Sequence, residues 1–128
     1  MRTLATQLRL RQLIRALVDY GERLAPGDEV ALAASRARLL GLLAEVRSAW
    51  DAEAGAGAPP ALKRRVLGLL AELSAAIDGF GRLTSAPASL QEAASGSALA
   101  LLLMLRGLED LPEAQLSTFA GRPLARTA

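Results

Sequence analysis

The chain has 128 residues, 52% of them hydrophobic, which is enough apolar side chain for one packed core and excludes wholesale disorder. It contains neither cysteine nor histidine, which removes disulfides, thiolate and imidazole metal sites, the Ser-His-Asp triad and the usual haem ligand. Fifteen basic residues against thirteen acidic ones leave a net charge of +2, a mild basic excess and not by itself a nucleic-acid footprint.

Leucine and alanine dominate, and both are strong helix formers. The first helix is expected from about Thr3 to Leu24, with Leu10, Leu13, Leu17, Tyr20 and Leu24 on one seam and Ile14 beside it. Leu4 and Leu8 fall off that seam. The first 18 residues carry Arg2, Arg9, Arg11 and Arg15 and no acid. Such a face suits an anionic membrane surface; the plainer reading places acidic partners on a neighbouring helix.

Ala25-Pro26-Gly27-Asp28 breaks the pattern, and a second helix is expected to open at Pro26 or Asp28 and run to about Ala54. Its apolar face is Leu39, Leu42, Leu43, Val46, Ala49 and Trp50. The Gly/Pro stretch from Gly55 to Pro60 is loop-length, and Pro60 suits the first turn of a third helix. That helix is expected to end near Leu83 or Thr84. Its seam of Leu62, Val66, Leu69, Leu73, Ala76, Phe80 and Leu83 steps by four and three, as in a bundle.

The second and third helices repeat one another. Arg36 to Ala52 (RARLLGLLAEVRSAWDA) and Lys63 to Gly79 (KRRVLGLLAELSAAIDG) match at an offset of 27 residues, sharing Leu40/Leu67, Gly41/Gly68, Leu43/Leu70, Ala44/Ala71 and Glu45/Glu72 among others. Opposite the apolar face each copy is small. One carries Ala37, Gly41, Ala44 and Ser48; the other carries Gly68, Ala71, Ala75 and Gly79. A helical glycine costs roughly 1 kcal/mol relative to alanine, so matched Gly41 and Gly68 invite a reason. One reason is close approach of another helix; the plainer one is solvated filler in an Ala/Gly-biased chain. Two copies are too few for a solenoid.

Ser89 with Glu92 reads as a capping box before a fourth helix. Its seam is Leu90, Ala94, Ser97, Leu101, Met104, Leu108 and Leu111. From Ala98 to Leu105 it is apolar all round, the signature of a deeply buried helix. Leu99 and Leu103 lie on its back face and require cover, for which a short fifth helix over Pro112 to Ala120, with Leu116 and Phe119, is the local candidate. Gly121 and Pro123 end it.

The expected fold is therefore all-α: an up-and-down four-helix bundle with a short C-terminal fifth helix, residues 1–121 forming one domain and 122–128 a loose tail. Net charge alternates along the segments, +3 over 1–24, −2 over 25–58, +2 over 59–85 and −2 over 86–111, so antiparallel neighbours would carry opposite signs. Arg9, Arg11, Lys63, Arg64 and Arg65 would then share one end of the bundle with Asp51 and Glu53.

No catalytic constellation emerges. The carboxylate pairs Asp28/Glu29, Asp51/Glu53 and Glu109/Asp110 all fall near helix ends, where acids have structural reasons to be, and no metal-ligand spacing accompanies them. No P-loop or dinucleotide fingerprint is present. Neither an enzymatic activity nor a cofactor is expected. The longest uncharged run, Ala93 to Leu105, is 13 residues, short of the ~20 that span a bilayer, and no secretory signal is legible, so a cytoplasmic location is expected.

The expected function is a non-enzymatic protein-interaction module: an adaptor, an assembly chaperone or a small structural subunit, able to self-associate. The expected interface comprises Ala37, Gly41, Ala44, Ser48, Gly68, Ala71 and Ala75, with Leu99 and Leu103. The alternative is a nucleic-acid-binding protein, such as a small phage packaging or nucleoid component, using Lys63, Arg64 and Arg65 on phosphate. That alternative lacks the extended basic face and the stacking aromatics that such binding favours.

Overall fold

A computed structural model describes residues 2–24, 29–54, 57–80 and 87–109. These form four helices, with no strand among the described residues: α1 (Leu4–Leu24), α2 (Glu29–Ala54), α3 (Pro60–Gly79) and α4 (Pro87–Glu109). Each helix packs on its chain neighbour, and α1 closes the ring by packing on α4. The contact between α2 and α3 is the slightest of the four.

The core is one cluster drawn from all four helices. Leu10, Leu13, Leu17 and Tyr20 enter from α1, and Leu39, Leu43, Val46 and Trp50 from α2. Leu62, Val66, Leu69, Leu73 and Ile77 enter from α3, and Ala94, Ala98, Leu101, Met104, Leu105 and Leu108 from α4. The four-and-three stepping read along each helix is the stripe that faces inward. Tyr20 and Phe80 stack with ring centroids 4.5 Å apart, joining the end of α1 to the end of α3.

Polar contacts set the direction of each helix. At one end, the Glu53 carboxylate of α2 receives the first free amides of α1. The Ala5 N–H donates to Oε2 at 3.0 Å, and the Thr6 N–H and hydroxyl donate to Oε1 at 2.6 and 2.7 Å. An acid here satisfies unpaired donors and meets the positive pole of the helix dipole. At the other end, Arg36 of α2 donates through Nε to the Ile77 carbonyl of α3 at 3.3 Å and lies 3.7 Å from the Asp78 carboxylate. Gln91 of α4 donates to the Leu17 carbonyl of α1 at 2.9 Å. These contacts set α1 antiparallel to α2 and to α4, and α2 antiparallel to α3, so the bundle runs up and down. Thr3, Thr6 and Gln7 are buried, which holds the first turns of α1 even though Leu4 and Leu8 face out.

Three local expectations are corrected. First, α3 ends at Gly79 and not near Leu83, because the Phe80 N–H turns back to the Ile77 carbonyl at 3.1 Å, closing a tighter final turn. Leu90 packs against Gly79 there: an added Cβ would stand 2.8 Å from Leu90 Cδ1. Second, α4 opens at Pro87, so Ser89 lies inside the first turn and does not cap it. Proline at the first helical position is preorganised for that role. Third, α4 is not buried all round: Leu99 and Leu103 are 48% and 56% exposed. Four helices in a ring cover only the inward part of each, whatever the outer side chains are. The expected fifth helix, the boundary at residue 121 and the side chains of Leu24, Leu83 and Leu111 lie outside the described residues.

Leu73→Ala and Leu101→Ala, both at fully buried positions, are expected to cost about 2–5 kcal/mol each, read by chemical denaturation. Glu53→Gln is expected to cost about 0.5–2 kcal/mol at neutral pH, as for loss of a helix cap. Burial of the Glu53 carboxyl works to raise its pKa, but the Thr6 hydroxyl and the Thr6 and Ala5 amides outweigh it and hold the value below the ordinary 4.5. A depressed folded-state pKa gives stability that is present above the ordinary value and lost as pH falls through the folded one. The gap between wild type and Glu53→Gln should therefore shrink below about pH 4.5.

Candidate functional site

The slight contact between α2 and α3 leaves an open groove of about 700 Å³. Its apolar lining is Leu40, Leu43 and Ala44 from α2 and Leu67, Leu70, Ala71 and Ala75 from α3. Arg47, Ser74 and Asp78 also border it. Three of these pairs, Leu40/Leu67, Leu43/Leu70 and Ala44/Ala71, are the same positions of the 27-residue repeat. Matched residues of the two copies therefore line the two sides of one groove. The groove is thus the shared face of the repeat.

Small side chains explain why it stays open. Ala44, Ala71 and Ala75 leave room that larger residues would fill, while Leu43 and Leu70 are buried beneath it and close the core. The polar clamp of Arg36 on Ile77 and Asp78 holds α2 and α3 together at one end.

The expected small face is divided by the fold. Ala44, Ala71 and Ala75 come together in the groove. Ala37, Gly41, Ser48 and Gly68 are exposed and do not line it. A Cβ added at Gly41 or Gly68 would meet nothing within 4 Å, and the same holds for Gly96 and Gly107 of α4, which have no part in the repeat. The matched glycines are therefore not set apart from other open glycines of the chain. Leu40 and Leu67, outside the expected interface, join the groove. Their signal was present: both are large apolar residues conserved between the two copies yet off the buried seam.

Leu99 and Leu103 lie apart on the outer face of α4. Of the basic run at the start of α3, Lys63 is half-buried, and Arg64 and Arg65 are exposed. Of the carboxylate pairs, Asp51 is exposed and Glu53 is committed to the α1 amides. No helix among the described residues is long and apolar enough to cross a membrane. Comparison of the chain with known protein families, with characterised proteins and with solved structures finds no match.

Gly41→Ala and Gly68→Ala are each expected to stabilise the isolated bundle by up to about 1 kcal/mol, because the methyl enters open space on a helix. That corresponds to a rise of roughly 3–5 °C in melting temperature for a domain of this size. A fall in melting temperature at either position would show that another chain occupies the space in solution.

Proposed function

We propose that the protein is a non-enzymatic interaction module whose α2/α3 groove receives an apolar helix, from a protein partner or from a second copy of the chain. The observation that carries this reading is the groove itself, lined by three matched pairs of repeat residues at a place where the bundle packs least. Its length suits a helix: the α3 wall runs from Leu67 to Asp78, about 16 Å at 1.5 Å per residue. A leucine floor with small alanine sides fits the helix-in-groove mode, in which the guest inserts side chains spaced by three and four. Arg47 and Asp78 offer one charge of each sign, which would orient the guest. Such a groove would serve an adaptor, an assembly chaperone or a small structural subunit alike.

The test is to fill the groove. Ala44→Trp and Ala71→Trp occupy exposed positions, so the bundle should remain helical by circular dichroism. Wild type is expected to show a native mass above the 13.4 kDa monomer by light scattering, or to co-purify with a protein after nuclease treatment. Both variants are expected to lose that association. Retention of mass and partner by both would place the interface elsewhere. A monomer that instead carries nucleic acid, released by salt, would favour phosphate binding through Lys63, Arg64 and Arg65.

A further inference from the structure

A second concave site lies between α1 and α2, distinct from the repeat groove. It is a cavity of about 540 Å³ lined by Leu8, Arg11, Gln12, Arg15, Arg38 and Leu42. Three arginines from two helices thus border one space, and among the described residues no carboxylate lines it. Among the described residues, none of the three arginines is paired with an acid, whereas Arg36 pairs with Asp78. Arg9 adds a fourth positive charge beside the site: its Nη1 donates to Gln12 Oε1 at 3.2 Å. That bond occupies the carbonyl of Gln12 and leaves its amide NH2 as a further donor.

The site is not only cationic. Leu8 and Leu42 form its apolar edge, and the stripe continues along α1 to Leu4. Leu4 and Leu8 are 61% and 52% exposed. Residues 4, 8, 11 and 15 fall at spacings of four, three and four, one stripe on an α-helix. The outer face of α1 therefore presents two leucines followed by two arginines, with Arg38 of α2 reaching the same cavity.

We infer that this α1/α2 face docks on an anionic phospholipid surface, the Arg11, Arg15 and Arg38 guanidiniums binding lipid phosphate while Leu4 and Leu8 enter the headgroup region. Guanidinium matches the phosphate oxygens bidentately, which makes arginine the suited cation. Stable attachment to a bilayer surface takes an apolar and a basic contribution together, and this face supplies both. A nucleic acid would use the arginines but leave the leucines in water, and no aromatic lines the cavity to stack on a base. Asp19 and Glu45, acids of the same two helices, do not line the cavity and leave its charge positive.

The experiment is vesicle flotation of the full chain, with phosphatidylcholine alone and with phosphatidylcholine containing phosphatidylglycerol. Wild type should float only with the anionic vesicles, and less at high salt. The triple variant Arg11→Gln/Arg15→Gln/Arg38→Gln should lose about a hundredfold in partitioning, at about fivefold per arginine near the surface. The pair Leu4→Ser/Leu8→Ser should also weaken it, because these side chains enter the interface. Arg64→Gln/Arg65→Gln, equally charged but on α3, should cost less per arginine. Circular dichroism should show each variant folded, which exposed positions favour. Failure of wild type to float, unchanged flotation of the triple variant or of the leucine pair, or tighter binding to single-stranded DNA than to the vesicles, would each overturn the inference. The groove variants Ala44→Trp and Ala71→Trp should float as wild type does, which keeps this outcome separate from that of the α2/α3 groove.

Discussion

Each helix of this protein carries an apolar stripe too wide to bury against one neighbour, and that constraint organises the rest. A ring of four lets every stripe meet two others, and the core that results is continuous from Leu10 in α1 to Leu108 in α4. Burying a leucine of this kind contributes about 1.5–3 kcal/mol by removal from water alone, so the many fully buried leucines outweigh any polar contact on the surface. The ring does not close evenly. Where α2 meets α3 the facing residues include Ala44, Ala71 and Ala75, and the missing side-chain volume becomes a groove.

Hydrophobic burial has no direction, so it cannot by itself choose between packing arrangements of similar area. The polar contacts between helix ends make that choice. Glu53 answers the free amides of α1, Arg36 answers the terminal carbonyl of α3, and Gln91 reaches the Leu17 carbonyl from α4. Two of these three use a charged side chain against the opposite pole of a helix, where the backbone leaves unpaired donors or acceptors. Reversing α1 or α2 would separate Glu53 from the first amides of α1 and leave those donors unanswered.

The outer surface divides into regions of different chemistry. The α2/α3 side is concave and mainly apolar, with little net charge. The α1/α2 side combines three clustered arginines with exposed leucines. The outer face of α4 carries Leu99 and Leu103. The first two faces share α2, whose apolar residues are consequently spread around the helix: Leu39 and Val46 point to the core, Leu40 to one concavity and Leu42 to the other. A helix serving a core and two surfaces does not need a single sharply amphipathic face.

Periodicity alone placed all four helices and most of the large apolar residues that are buried, because the spacing of such side chains on a 3.6-residue helix is a local property of the chain. Helix ends were less legible. The close of α3 at Gly79 depends on the Phe80 amide and the Arg36 side chain meeting one carbonyl, and the cap on α1 comes from Glu53, 47 residues from Thr6. No local pattern at Thr3 to Gln7 signals that distant acid. The small-residue face was legible as composition but not as geometry. A stripe of Ala37, Gly41, Ala44 and Ser48 spans too wide an arc to face one neighbour, and the crossing of α2 with α3 decided that Ala44 lines a groove while Gly41 faces open space. Likewise Arg11, Arg15 and Arg38 were isolated charges in the chain, and only the packing of α1 on α2 gathered them around one cavity. The chain determined which residues seek the interior; the tertiary structure decided which outward residues become neighbours, since that depends on contacts between helices and not on spacing within one.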